Sequence, residues 1–169
     1  DRLLTKNRIK FFNELIKGGK LNATMLDKTQ FAMASNLQAQ GKFDKSDELF
    51  AQVGSIMTWQ FAGNFENISG SGFDKSWDAI THPESDYEFI NRNGVPIKWF
   101  DAVTYRPGRW MHPGYQAYTD NSIMFAQTFV KSATEQEIQV RLGVSGSVKV
   151  WINDKLMFSE EEERDNGID

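Results

Sequence analysis

Few residues of this chain could carry out nucleophilic or acid–base chemistry. The two histidines, His82 and His112, are each followed by proline, which is typical of turns. No Gly-x-Ser-x-Gly motif supplies an activated serine, and the absence of cysteine excludes a thiol nucleophile and a disulfide framework. Two separated histidines without a His-Glu-x-x-His motif do not make a zinc centre. The sequence therefore predicts no catalytic residue, no metal site and no cofactor.

Paired carboxylates are the main alternative for catalysis, because two of them can hydrolyse a glycosidic bond. A long segment at 63–95 is rich in Gly, Asn, Asp and Ser, and four of its six acidic residues are candidates: Asp74, Asp78, Glu84 and Asp86. Their spacing singles out no pair, and acidic side chains in a loop are usually solvated. We expect the segment to be irregular, since long stretches with few strand signals are often binding loops.

A turn-rich aromatic segment at 105–115 is a better candidate for binding. Sugar rings stack their C–H faces on tryptophan or tyrosine, while polar neighbours bond the hydroxyl groups. The residues of this segment that fit such a site are Arg106, Trp110, His112 and Tyr115. The alternative is that Trp110 and Tyr115 cover the end of a β-domain or pack against helices, as large aromatic side chains often do.

Composition narrows the class of protein further. The chain has 169 residues, enough for one domain or a small domain with an appendage. Its net charge of -4 argues against a nucleic-acid partner, which favours a basic face. No run approaches the roughly 18 apolar residues of a membrane span.

Two kinds of hydrophobic periodicity divide the chain near residue 58. Up to that point apolar residues recur at helical spacing, and glycines at 18–19, 41 and 54 predict the ends of three helices. The second of these is expected to run from Asn22 or Thr24 to Gln40. Beyond residue 58 alternation predicts β-strands. The predicted strands are 59–62, 122–131, 137–143, 147–152 and 155–158, with 122–131 central because it is apolar on both faces.

The second and third predicted helices resemble a tetratricopeptide helical hairpin. The match covers residues 30–53 and rests on small, glycine and aromatic positions, namely Ala34, Gly41, Phe43, Ser46, Phe50 and Val53. Ser46 stands where that family has a small alanine. A lone unit of this kind is stable only by stacking on a neighbour, so the resemblance implies packing on the rest of the chain or on further repeats.

Residues 58–160 resemble the galactose-binding-like jelly-roll sandwich. The resemblance rests on a Trp-Gln-Phe-Ala-Gly-Asn-Phe run at 59–65, Gly-Ser-Gly-Phe-Asp at 70–74, His-Pro-Glu at 82–84 and Val-Lys-Val-Trp-Ile-Asn-Asp-Lys at 148–155. Asp154 replaces the usual glycine of the hairpin turn, and Ser145 lies near the position of an acidic family residue. Such modules are accessory parts of large bacterial proteins and glycoside hydrolases, which implies a periplasmic or extracellular location. They normally have one or two more strands after this hairpin, so we expect a fragment truncated at its C-terminus.

The sequence thus predicts an α+β chain in two parts. Residues 1–57 form tetratricopeptide-like helical hairpins, and residues 58–169 form an antiparallel galactose-binding-like β-sandwich. The predicted function is a non-catalytic binding or scaffold module of a larger bacterial protein, with carbohydrate and neighbouring domains as partners. The alternatives are an accessory fragment of a glycoside hydrolase or other multidomain enzyme, and a purely structural linker.

Overall fold

The computed structural model of the chain describes residues 2–103 and 111–162, apart from the side chains of residues 2–6 and 115. The described residues fall into two compact units, a helical unit at 2–58 that also includes residue 111, and a sheet unit at 59–103 and 112–162. Each unit is described by itself. None of the helices in these ranges is long and apolar enough to cross a membrane.

The helical unit contains three helices, and their predicted ends are confirmed. They are α1 at Arg2–Lys17, α2 at Ala23–Ala39 and α3 at Phe43–Gln52. Asn22 is the N-cap of α2, because its side-chain oxygen accepts the backbone N–H of Met25 at 2.9 Å. Helix α2 packs against both α1 and α3.

The contact between α2 and α3 is built on small and aromatic side chains. Ala34 of α2 and both Ser46 and Phe50 of α3 are fully buried. The Ser46 hydroxyl donates to the Ala34 carbonyl at 2.9 Å, so this buried serine has a hydrogen-bond partner. Phe31 meets Phe50 edge to face, with ring centroids 5.2 Å apart. The two helices therefore approach closely at Ala34 and Ser46, and the Phe50 side chain fills the space between them.

The strands of the sheet unit, together with the three helices, confirm the predicted mixed α+β class. All strand pairs in it are antiparallel. Its strands are β1 at Gln60–Glu66, β2 at Phe89–Ile90, β3 at Pro96–Ile97, β4 at Phe100–Asp101, β5 at Ser122–Gln127, β6 at Val148–Ile152 and β7 at Lys155–Glu160. They form a three-stranded sheet in the order β4-β1-β5 and two ladders, β2-β3 and β6-β7. The jelly-roll sandwich itself stays a prediction.

The predicted central strand at 122–131 is wrong in its position and its length. In the described sheet β1 is central, whereas β5 is at an edge and ends at Gln127. Phe129 and Val130 lie beyond the strand and are exposed. Only residues 122–127 of the predicted segment pair with β1. Apolar residues on both faces of a segment therefore do not by themselves indicate a strand with neighbours on both sides.

An aromatic cluster forms the core of the sheet unit. Phe65 lies at its centre, with ring centroids 5.0 Å from Trp77, 6.1 Å from Phe89 and 5.7 Å from Phe125. The buried members of the cluster are Ala62, Phe65, Ala79, Phe89 and Trp99. These tilted and edge-to-face contacts are the arrangement that aromatic rings prefer. They bring the loop that follows β1 down onto the sheet.

The predicted hairpin at 147–158 is confirmed as β6 and β7. Asn153 and Asp154 have φ values of 49° and 63°, which is the type I′ turn that favours hairpins. The register passes from Val150 opposite Phe158 to Trp151 opposite Leu156, so β7 carries a bulge that skips the residue between them.

Lys149 of β6 fastens this hairpin to the loop at 70–75. Its ammonium group donates to the Phe73 carbonyl at 2.7 Å and to the Asp74 carboxylate at 2.9 Å. The same group lies 4.1 Å from the centre of the Phe73 ring.

The predicted strand at 137–143 is wrong. The segment has no strand partner among the described residues, and Ile138, Val140 and Leu142 are 63%, 54% and 54% exposed. Alternation makes a strand only where a neighbouring strand supplies hydrogen bonds and a surface to cover. In the described part of the chain no strand pairs with this segment.

Candidate functional site

A bulge in β1 sets up the candidate site. Gly63 pairs with Met124 and Phe65 pairs with Ile123, which leaves Asn64 without a partner in the register. Gly63 has a φ of 145°, and a Cβ there would lie 2.6 Å from the Met124 sulfur. Only glycine fits this position, so the bulge is built into the sequence.

Asn64 is buried, at 6% exposure, and it organises two loops. Its side-chain amide donates to the Tyr118 carbonyl at 2.6 Å. Its own carbonyl accepts the backbone N–H of Arg92 at 2.9 Å. The bulge therefore holds residues 92 and 118, which lie far apart in sequence, on the same side of the sheet unit.

Tyr118 presents an exposed ring that is held in place by its neighbours. Its hydroxyl donates to the Asp120 carboxylate at 2.9 Å, and the residue is 67% exposed. Arg92 donates to the Asp120 carbonyl at 2.9 Å, and its guanidinium carbon lies 5.9 Å from the Tyr118 ring centre. We call the set Asn64, Arg92, Tyr118 and Asp120 the Tyr118 platform.

Electrostatics keep the Tyr118 hydroxyl protonated. The hydrogen bond to Asp120, the charge of that carboxylate and desolvation raise the Tyr118 pKa above 10.0, and Arg92 offsets part of this effect. The neutral form is thus favoured in the folded chain, and its stabilising hydrogen bond is fully present below the ordinary tyrosine pKa. It is lost as the pH rises through the raised pKa.

The residues predicted from sequence border this site only in part. Arg106 and Trp110 lie outside the described residues. The backbone of Tyr115 closes a short 3₁₀ turn at Pro113–Tyr115, and its side chain also lies outside the description. His112 is exposed, and a Cβ placed on Gly114 would lie 2.7 Å from its ring and 3.6 Å from the Thr119 hydroxyl. The side chains of His112 and Thr119 therefore both lie beside Gly114.

Sequence reasoning missed Arg92, Tyr118 and Asp120. Arg92 lies in a polar turn before β3, and nothing in its local sequence connects it with residue 118. The signal that could have pointed to Tyr118 is the turn-forming Asp120-Asn121 pair that follows it, where Asn121 adopts a φ of 48° just before β5. The long-range link through Asn64 follows from the bulge, which the alternation pattern of β1 does not reveal.

Three of the four candidate acidic residues of the 63–95 segment, Asp74, Asp78 and Glu84, have separate structural partners. The His82 ring stacks on Tyr87 with centroids 3.9 Å apart, and His82 Nδ1 lies 3.5 Å from the Glu84 carboxylate. The Tyr87 hydroxyl donates to Asp78 at 3.3 Å, and partial burial followed by the charge of Asp78 raises the Tyr87 pKa. Asp74 is held by the lysine of β6 described above. These contacts brace the segment.

The described residues contain no group of three or more His, Asp or Glu side chains placed to hold a metal ion. Comparisons of the chain with protein-family models, with curated protein sequences and with solved structures found no match. The two family resemblances therefore stay predictions from sequence, and the candidate site rests on its geometry.

Proposed function

We propose that this chain is a non-catalytic carbohydrate-binding module of the galactose-binding-like type, and that the Tyr118 platform binds the sugar. The observation that supports it is the exposure of the Tyr118 ring, at 67%, together with its fixed hydroxyl. A large aromatic ring that is held by hydrogen bonds but left open to solvent is suited to stacking against the C–H face of a pyranose.

The polar groups around the ring match the hydroxyl groups of a sugar. The Asp120 carboxylate has acceptor capacity beyond its bond to Tyr118, and the Arg92 guanidinium has donors beyond its bond to the Asp120 carbonyl. An aromatic surface with a few oriented polar groups is the usual composition of a small-molecule site. His112, which lies beside Gly114 as Thr119 does, would add a further polar group at the border of the platform.

The platform is also organised before a ligand arrives. Tyr118 is bonded at its hydroxyl and at its carbonyl, and Arg92 is bonded at its side chain and at its backbone N–H. Groups that are already held lose less conformational freedom on binding, so more of the interaction energy appears as affinity. The same site would also serve an accessory domain of a glycoside hydrolase. A parent protein of that kind stays the alternative.

A panel of neutral and acidic oligosaccharides tests the proposal by calorimetry and by the shift in melting temperature. We expect at least one sugar to bind, and Tyr118→Ala to weaken that binding by about tenfold or more, because the stacking surface is lost. Phe129→Ala is the matched control, since Phe129 is an exposed aromatic residue outside the platform. If no sugar in the panel binds, or if Tyr118→Ala binds as well as Phe129→Ala, the proposal is wrong.

A further inference from the structure

The helical unit contains a groove of about 380 Å³ between its three helices. Its lining residues are Ile9, Asn13, Met33, Leu37, Lys42, Lys45, Glu48 and Leu49. The apolar side chains come from all three helices. The charged lining residues are the exposed Lys42, Lys45 and Glu48 at the α3 side, so the lining keeps an excess of one positive charge. The volume lies within the range of roughly 300–1,000 Å³ that is usual for small ligands or a few side chains.

A segment at the end of the described chain has the complementary composition. Leu156, Met157 and Phe158 of β7 are 48%, 56% and 49% exposed, although all three are apolar. Ser159 and the half-buried Glu160 come next, and the exposed Glu161 and Glu162 follow them. Adjacent exposed apolar side chains mark interaction surfaces in soluble proteins. A partner for this segment needs an apolar floor with positive charge at one end.

The charges of the whole sequence show the same division, because residues 1–58 are net basic and residues 59–169 are net acidic. Residues 1–58 contain nine Lys and Arg against six Asp and Glu, whereas residues 59–169 contain ten against seventeen. Opposite net charges on two parts of one chain attract between separate molecules, and this attraction both speeds association and fixes its orientation.

We propose that the groove of one molecule receives residues 156–162 of a second copy. In this contact the apolar side chains of β7 enter the groove, and Glu161 and Glu162 face Lys42 and Lys45. The two surfaces are different, so the contact is heterologous and each molecule keeps one groove and one segment free for the next. Such a contact produces rings or open chains of molecules rather than a closed two-fold dimer.

Sedimentation velocity of the full chain over a range of concentrations tests the proposal. We expect association that grows with concentration and weakens at high salt, because screening reduces attraction between exposed charges. Lys42→Glu with Lys45→Glu should weaken association by about tenfold or more, since two attractions become repulsions. Glu161→Lys with Glu162→Lys should have the same effect.

Mixing the two double variants gives the sharper readout. Each is expected to be monomeric alone, because its groove and its segment carry the same charge. Together they should associate, since the acidic groove of one fits the basic segment of the other. Lys20→Glu with Lys28→Glu is the control, because it changes the same charge outside the groove lining. A wild-type chain that is monomeric throughout, a mixture that fails to associate, or a control as disruptive as the groove variant would overturn the proposal.

Discussion

Two regions of the sheet unit have similar apolar patterns and different burial. In residues 59–127 the apolar side chains of β1, β2 and β5 meet around Phe65 and Trp99, which are 4% and 7% exposed. In residues 128–162 the alternating segment at 137–143 and the apolar side chains of β7 remain half exposed or more. The first region has a loop folded over its sheet, and the second has only a hairpin.

The difference shows that alternation specifies which face is apolar, whereas packing partners determine whether that face is buried. An isolated two-stranded hairpin is at best marginally stable in water, so β6 and β7 depend on contacts beyond their own ladder. Lys149 supplies one such contact through its bonds to Phe73 and Asp74. The second region is therefore held to the first by contacts such as that of Lys149, and it contributes no residue to the aromatic core.

The largest expected effect is the difference in stability lost when a side chain is truncated in the first region and in the second. Phe65→Ala should lower the free energy of unfolding by about 3–5 kcal/mol, because it leaves a cavity at the centre of the aromatic cluster. Val140→Ala should lower it by less than about 0.5 kcal/mol, since that side chain is 54% exposed. Urea denaturation measures both, and Phe65→Leu, at about 1–2 kcal/mol, serves if the alanine variant does not fold. A comparable cost at Val140 would show that its segment is packed.

A smaller effect is expected where the regions are joined. Lys149→Met keeps the apolar stem but removes the bonds to the loop, and should cost about 1–2 kcal/mol. Asp74→Asn should cost less than about 0.5 kcal/mol, because Asp74 is 88% exposed and its ion pair is screened by solvent. Hydrogen exchange at 70–75, together with urea denaturation, measures the change. Equal costs for the two variants would show that the ion pair with Asp74, and not the bond to the Phe73 carbonyl, supplies most of the stability that Lys149 contributes.

The smallest effect is local to the second region. Asp154→Gly should raise the free energy of unfolding by about 0.5 kcal/mol, because glycine adopts the left-handed conformation of this turn without strain. Asp154→Ala should lower it by about 1 kcal/mol, since alanine has no side-chain oxygen to support that conformation. Thermal unfolding of both variants gives the comparison. A stabilising alanine would mean that the turn relaxes to another geometry.

Local signals in the sequence predicted the helices and the hairpin well. Helix α2 begins at Ala23, within the predicted start of Asn22 or Thr24, and Asn153 and Asp154 form the predicted turn, because capping and turn preferences act over a few residues. The prediction of a strand at 137–143 was wrong, because a strand forms there only if a distant part of the chain pairs with it. The Tyr118 platform was missed for the same reason, since Asn64 joins residues 92 and 118 only after β1 has paired with its bulge.

The bulge at Met157 has a consequence for solubility. A regular two-stranded ladder with apolar side chains would offer a flat edge on which further strands could add without limit. The extra residue increases the local twist and interrupts the row of backbone donors and acceptors, which protects natural sheet edges from such growth. The apolar side chains of β7 can therefore be presented to a partner while the backbone beneath them stays a poor template for amyloid-like stacking.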